Sequence, residues 1–265
     1  MIRGQRVAVV IPAFNEQRLL PVTLGTIPGY VDAVVVVDDA STDDTAAVAA
    51  SCACPVPVIV QRHESNQGVG AAIVTGYRWC RDNGIDVSVV MGADNQMDPH
   101  DMPGLLLPII QGEADYVAGD RMSWPGGWKM FPRVRLVGVV ALAWLTRWAT
   151  GLSQIRDAQC GYTAINHHAL CRLDLDGLYP RYGFPNDLLA RVAEARLRVT
   201  TRPVRPVYAD EQSKLQISRV VVPLLRLTVK NRLARQTAQE SGSGVGVVSS
   251  IIPEDEVPEG STGGC

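Results

Sequence analysis

The residues best suited to chemistry stand where apolar runs end. Asn15 and Glu16 follow "RVAVVIP", Asp38 and Asp39 close "AVVVV", and Asn66 lies beyond "VPVIV". Asp94 follows "VSVVM", and Arg121 follows "DYVAG". One polar strand end is unremarkable, but several on one edge of a sheet make a site. In "GADNQMDP", a carboxylate (Asp94) stands beside the amides of Asn95 and Gln96, oxygen ligands of the kind a hard divalent cation takes. Asp98 before Pro99 reads instead as a helix N-cap with Pro at the first helical position. Asn66, Gly68 and Gly70 open a helix where backbone can come close to an anion or a ribose. His63, His100, His167 and His168 lack a site context and read as structural or solvent-facing.

The elements that must position these residues alternate. Strands are expected near 6–12, 33–37, 56–60, 87–91 and 115–119. Helices are expected over 17–27, 41–51, 68–82 and from 99, with Ser41 and Thr42 capping the second. The strand runs lack period-2 alternation, so the expected fold is α/β, a mostly parallel sheet with helices on both faces. Ligands of such sheets bind beyond the carboxyl ends of the strands. Further on, 133–152 and 183–199 read as helices and 199–208 as a strand. Three units follow: a domain over 1–213, a basic amphipathic segment over 214–237 and a Gly/Ser/Pro-rich acidic tail over 238–265, expected to be disordered.

The chain has 265 residues and a net charge of −2. The tail holds Glu240, Glu254, Asp255, Glu256 and Glu259 and no Lys or Arg, so the rest carries about +3. That suits an anionic substrate but is too weak for nucleic acid. The cysteines form no zinc pattern and read as reduced thiols. No apolar run reaches the ~18 residues that span a bilayer. The start "MIRGQRVAVVIP" carries no leader-like stretch, so a cytoplasmic protein is expected.

"VVIPAFNE", "VVVVDDASTDDT", "ESNQGVGAAIVTGY", "GADNQMDPHDMPGLL", "YVAGDRM" and "DAQCGYTAI" occur in the order seen in family 2 glycosyltransferases. Over about residues 5–215 the chain resembles those of the GT-A fold, above all dolichyl- and polyprenyl-phosphate sugar synthases. The resemblance implies a Rossmann-like nucleotide-diphospho-sugar transferase that moves a hexose, with inversion, from a GDP- or UDP-sugar to a polyprenyl phosphate. It places Asp38 and Asp39 on the nucleoside, with Pro12, Phe14, Asn15 and Glu16 as the other wall. Asp94 and Gln96 would hold Mg²⁺ or Mn²⁺ at the diphosphate, and Gly92 stands where the family has a further Asp. Such a site needs the nucleotide's own oxygens to complete it. Arg121, with Arg133 and Arg135, would face the acceptor phosphate, and Lys214 would reach back to the phosphates. Asp157 and Gln159 would line the acceptor side, Gln159 near the donor sugar.

Asp187 sits where the family has an acidic residue at a helix start. It gives a second reading, a small-molecule hydroxyl acceptor with Asp187 as general base. A third is a non-catalytic nucleotide-sugar binding protein left by loss of the carboxylate at 92. A dinucleotide oxidoreductase fits less well still, because "IPAFNE" stands where its glycine motif should follow the first strand. The basic, Trp-bearing helix 133–152 and segment 214–236 have two readings: contact with the inner face of a membrane, or packing on the body or on a second copy as a homodimer.

Overall fold

The computed structural model describes residues 1–130, 133–207 and Val229, without the side chains of 129 and 133–135. Lys214, the rest of segment 214–237 and the tail lie outside the described residues.

The order of elements is β1 (Val7–Ala13), α1 (Leu20–Gly25), β2 (Ala33–Asp38), α2 (Thr45–Ser51), β3 (Val58–Arg62), α3 (Val69–Asp82) and β4 (Val87–Val90). A 3-10 turn (Pro99–Asp101) leads into α4 (Met102–Ile110). Then come β5 (Tyr116–Asp120), α5 (Gly127–Met130), α6 (Arg133–Thr150), β6 (Thr163–Asn166), α7 (His167–Arg172), α8 (Phe184–Glu194) and β7 (Val199–Pro203). The seven strands form one sheet in the order β3-β2-β1-β4-β6-β5-β7.

Continuous apolar runs make sense because both sheet faces are covered. Ala8, Val10, Val35 and Val37 pack with Tyr77, Leu170 and Leu188 under α3, α7 and α8. Val7, Val9, Ile11, Val34 and Val36 face the other way, onto Leu20, Ala49, Met102 and Leu105 of α1, α2 and α4. The outer strands β3 and β7 are only half-buried, as sheet edges are.

The sheet is mostly parallel, as expected, with one strand the sequence reading did not include: "TAIN" forms β6, which runs antiparallel between β4 and β5, whereas the other pairings are parallel. One expectation is corrected: α2 starts at Thr45, not at Ser41 or Thr42, because those two residues bond to other groups described below.

The reversed strand is clasped at the edge remote from the strand ends that carry the candidate residues. Asp115, just before β5, accepts from Arg198 N, Nε and Nη2 at 2.9, 3.0 and 2.8 Å and from Asn166 Nδ2 at 3.0 Å. The Arg198 guanidinium holds the Asp115 carboxyl well below the usual carboxylate range. A carboxyl depressed in the folded state stabilises above its unfolded pKa of ~4 and loses that contribution as pH falls toward its folded value. Asp115→Asn is therefore expected to lower the urea midpoint at pH 7, by a margin that narrows below about pH 4. An equal margin at pH 7 and pH 2.5 would remove the ionic part of this account.

Candidate active site

Because β1, β2, β3, β4 and β5 run the same way, Asn15-Glu16, Asp38-Asp39, Asn66, Asp94 and Arg121 all emerge at one sheet edge. Backbone strain gathers there. Asn15, Ala40 and Asn95, in the loops after β1, β2 and β4, have φ of 57°, 59° and 56°. The left-handed region is tolerable for Asn but costly for Ala, and such strain clusters at functional sites.

The first two loops are sewn together. Asn15 N donates to Ser41 Oγ (2.9 Å), Thr42 N to Asn15 Oδ1 (2.8 Å) and Glu16 N to Thr45 Oγ1 (2.9 Å). This is why Ser41 and Thr42 do not cap α2. Phe14 stays exposed on the rim, and Pro12 and Glu16 are half-buried beside it.

Asp38 and Asp39 are both buried. Asp38 accepts from Ser41 N (3.0 Å) and pairs with Arg62 Nε (3.1 Å). Asp39 is a hub. Its Oδ1 accepts from Gln67 N (2.8 Å) and lies 2.7 Å from His63 Nδ1, and its Oδ2 accepts from Gly68 N (2.7 Å). The other ring nitrogen of His63 lies 2.9 Å from Thr75 Oγ1. Asn66 Nδ2 donates to Asp39 O (3.4 Å).

The two glycines also have a packing role within the fold. A Cβ on Gly68 would sit 2.6 Å from Pro180 O, and one on Gly70 2.6 Å from Tyr179 O and 2.7 Å from Phe184 Cβ. The 179–184 turn takes the room that the missing side chains leave. The anion at the start of α3 is the Asp39 carboxylate itself.

Asp94 lies half-buried past β4, and its Oδ1 accepts from Gln96 N (3.1 Å). A Cβ on Gly92 would lie 2.8 Å from Asp94 Oδ1, so this carboxylate folds over the position where the family carries its other Asp. Among the described residues no three His, Cys, Asp or Glu converge as a metal cluster. Asp94 and Gln96 supply hard oxygen donors at the right strand end, so a divalent cation fits here with most of its shell drawn from a substrate. Asp98 is the cap expected of it, accepting from His100 N (2.9 Å). It also pairs with Arg205 (3.0 Å), whose guanidinium lies 5.2 Å from the ring centre of Trp124. Burial pushes the Asp98 carboxyl up, but His100 and Arg205 outweigh it and its pKa is lowered.

After β5, Asp120 builds the turn by accepting from Met122 N (2.9 Å) and Ser123 N (3.1 Å). Arg121 forms a two-pronged pair with Asp157, Nε to Oδ2 at 2.6 Å and Nη2 to Oδ1 at 2.9 Å. The Asp157 side chain is fully buried and that of Arg121 is 17% exposed. Because β6 is reversed, the loop carrying Asp157 and Gln159 enters this edge ahead of its strand rather than after it. Gln159 Nε2 donates to Asn186 Oδ1, and Asn186 Nδ2 to Thr146 Oγ1 (2.6 Å), tying that loop to α8 and α6. Burial pushes the Cys160 thiol up to about 12, which rules it out as a thiolate nucleophile at neutral pH.

Asp187 lies at the start of α8, as its position in the sequence implies. It is only 3% exposed, and its Oδ2 accepts from Tyr179 N (2.9 Å). It braces the 179–184 turn that packs on Gly68 and Gly70. Arg133 and Arg135 fall in the first turn of α6, with side chains outside the described residues, and Lys214 lies outside them altogether. Sequence reasoning missed Arg62 and His63 as partners of the Asp pair. The available signal was their place directly after "VPVIVQ", on the edge already singled out.

A family model described as glycosyl transferase family 2 matches residues 8–176. The chain belongs to this family. Two relatives of this transferase cover most of it. One is an undecaprenyl-phosphate mannosyltransferase of Micrococcus luteus, 34% identical over 75% of this chain and 82% of that protein. The other is a polyprenol monophosphomannose synthase of Mycolicibacterium smegmatis, 30% identical over 87% of this chain and 90% of that protein. Among solved structures, the glucosyl-3-phosphoglycerate synthase of Mycobacterium tuberculosis, in complex with Mn²⁺, UDP and glucosyl-3-phosphoglycerate, superposes with a TM-score of 0.67. At 20% identity, over 86% of this chain and 80% of that one, it shows that the transferase has the GT-A fold.

Proposed function

We propose that this transferase moves a hexose from a nucleotide-diphosphate sugar, GDP- or UDP-linked, to a polyprenyl phosphate, with inversion at the sugar carbon. The observation that carries the reading is Arg121, fixed by the buried Asp157 at the edge that gathers the other candidate residues. A planar guanidinium pre-set in this way suits a phosphate oxyanion. The phosphate oxygen bonds to sugar C1 as the bond from C1 to the diphosphate oxygen breaks, and the nucleoside diphosphate leaves with the electron pair. An acceptor that is already an anion has no proton to lose, so it needs no base. The buried position of Asp187 therefore counts against a hydroxyl acceptor rather than against transfer.

Phe14, Pro12, Glu16 and Asn66 form the open rim for the nucleoside around the Asp38-Asp39 hub. Asp94 and Gln96 would hold a divalent cation, Mg²⁺ or Mn²⁺, which when bound offsets the charge of the departing diphosphate. The names of the two mannosyl-transferring relatives support the acceptor class. A lipid acceptor implies contact with the inner face of a membrane.

The test presents labelled UDP- and GDP-sugars with Mg²⁺ or Mn²⁺, and either polyprenyl phosphate or small hydroxyl acceptors. Label is expected in the lipid-phosphate product only. Transfer to a hydroxyl compound alone would overturn the acceptor. The matching nucleotide is also expected to raise the melting temperature by ~5–10 °C at 100-fold its Kd, from ~2.7 kcal/mol of linkage. This shift should require the cation, and a shift of equal size in chelator would remove Asp94 from the role given to it.

A further inference from the structure

Strand β7 ends beside the end of β5. Gly119 pairs with Arg202 and Asp120 with Pro203, and Val204 N donates to Asp120 O (3.2 Å). The next residue, Arg205, therefore leaves the sheet at the edge that gathers the candidate residues. It is gripped through both backbone and side chain. Arg205 N donates to Asp101 Oδ2 (2.6 Å), and its Nη1 pairs with Asp98 Oδ2 (3.0 Å). Its guanidinium lies 5.2 Å from the ring centre of Trp124, within reach of a cation–π contact.

The two side-chain partners belong to different loops. Asp98 closes the loop after β4, which carries Asp94 and Gln96. Gly92 N donates to Met97 Sδ (3.1 Å) across that loop, and Tyr162 Oη donates to Asp98 O (3.2 Å) from outside it. Asn95, in its middle, is left-handed, and a loop strained there must have its ends held. Trp124 belongs to the loop after β5, which carries Arg121. Gly127 N donates to Trp124 O (2.7 Å), and a Cβ on Gly127 would clash with Arg121 O and lie 3.2 Å from Trp124 Cβ. Arg121 and Trp124 thus share one tight turn. We infer that Arg205 is a positioning residue for transfer: holding Asp98 on one side and Trp124 on the other, it sets the cation loop against the Arg121 turn. The inference rests on the roles proposed above for Asp94, Gln96 and Arg121. Groups that hold a metal's ligands in place change its affinity by about 10- to 100-fold when they are removed. The Arg205 side chain is 52% exposed, and so exposed an ion pair adds little to folding. Its loss should therefore be felt in the site more than in the melting temperature.

The test measures the Mn²⁺ concentration that half-saturates UDP or GDP binding to the full chain, with no acceptor present. Arg205→Met is expected to raise it ~10-fold while melting within a few degrees of the parent. Arg205→Lys keeps the charge opposite Asp98 and should recover part of that loss. Trp124→Leu, on the other loop, should raise it by a smaller factor. The Arg205→Met/Trp124→Leu pair should be no weaker than Arg205→Met alone, because both act through one contact. With polyprenyl phosphate as acceptor, excess Mn²⁺ should return the kcat of Arg205→Met to within a few-fold of the parent, while the KM for the acceptor stays raised. An unchanged Mn²⁺ requirement in Arg205→Met overturns the inference. So do fully additive losses in the pair, which would make the two loops independent. A parent that binds both nucleotides without Mn²⁺ overturns this inference and the cation role together. Parent-like transfer to polyprenyl phosphate by Arg205→Met at limiting Mn²⁺ would sink this inference and leave the proposed function standing. Transfer to hydroxyl acceptors alone, with the Mn²⁺ requirement still raised by Arg205→Met, would do the reverse.

Discussion

Asp94→Ala is expected to lower kcat/KM on the order of 10²- to 10³-fold, the size seen when one electrostatic stabiliser of a reacting group is removed. The loss should fall on kcat, because the leaving diphosphate is most in need of positive charge as its bond to sugar C1 breaks. The fold should survive. Asp94 stands at a loop tip past β4, only half-buried, so the variant should melt within a few degrees of the parent. Gly92→Asp is the companion experiment. A Cβ there meets Asp94 Oδ1 at 2.8 Å, a flexible end that can swing aside. The substitution should tighten cation binding in the absence of nucleotide while leaving turnover within a few-fold of the parent. A fully active Asp94→Ala enzyme would end the assignment, whatever Gly92→Asp does.

The Arg121–Asp157 pair carries the second large effect. Removing one partner of a buried ion pair leaves a charge without compensation, at a cost of about 3–5 kcal/mol. Asp157→Ala should therefore lose ~10 °C or more of melting temperature, together with activity. Arg121→Met/Asp157→Leu separates the two losses. Replacing both charges with apolar groups should restore most of the stability, as such swaps often do, while transfer stays at least ~100-fold down. Arg121→Lys keeps the charge but loses the two-pronged geometry, and is expected to raise the KM for polyprenyl phosphate more than that for the nucleotide sugar. If the double apolar variant transfers sugar normally, Arg121 is a structural residue and the acceptor needs another cation.

How much of this was legible beforehand varied with the kind of signal. The apolar runs of β1, β2, β4 and β5 and the polar residues that end them put the candidate residues on one edge, because period and position suffice for that. Strand β6 was not legible. "TAIN" is four residues long, and no local pattern announces that it runs against its neighbours. The hydroxyls misled. Ser41 and Thr42 read as caps because that is the local use of such residues, whereas in the fold they serve Asn15, distant in sequence. The packing of Gly68 and Gly70 against the 179–184 turn was not legible for the same reason. His63 was likewise opaque, since its carboxylate partner lies 24 positions earlier. For Asp187, the acidic residue at a helix start was legible but its burial was not.

The strand order also dictates a schedule for synthesis. Strands β1 to β4 complete a four-stranded parallel sheet with the Asp38-Asp39 hub once the first ninety or so residues have emerged. Strand β5 has no partner among them, because both its neighbours, β6 and β7, are made later. Until Thr163–Asn166 leaves the ribosome, β4 offers a bare edge and the apolar β5 waits unpaired. Nascent chains halted between about residues 120 and 160 therefore present an open strand edge together with an unpaired apolar strand, the combination most prone to aggregate. The half that carries Asp38 and Asp39 can take shape early. The half that carries Arg121 and Asp157 is held back until β6 closes the gap.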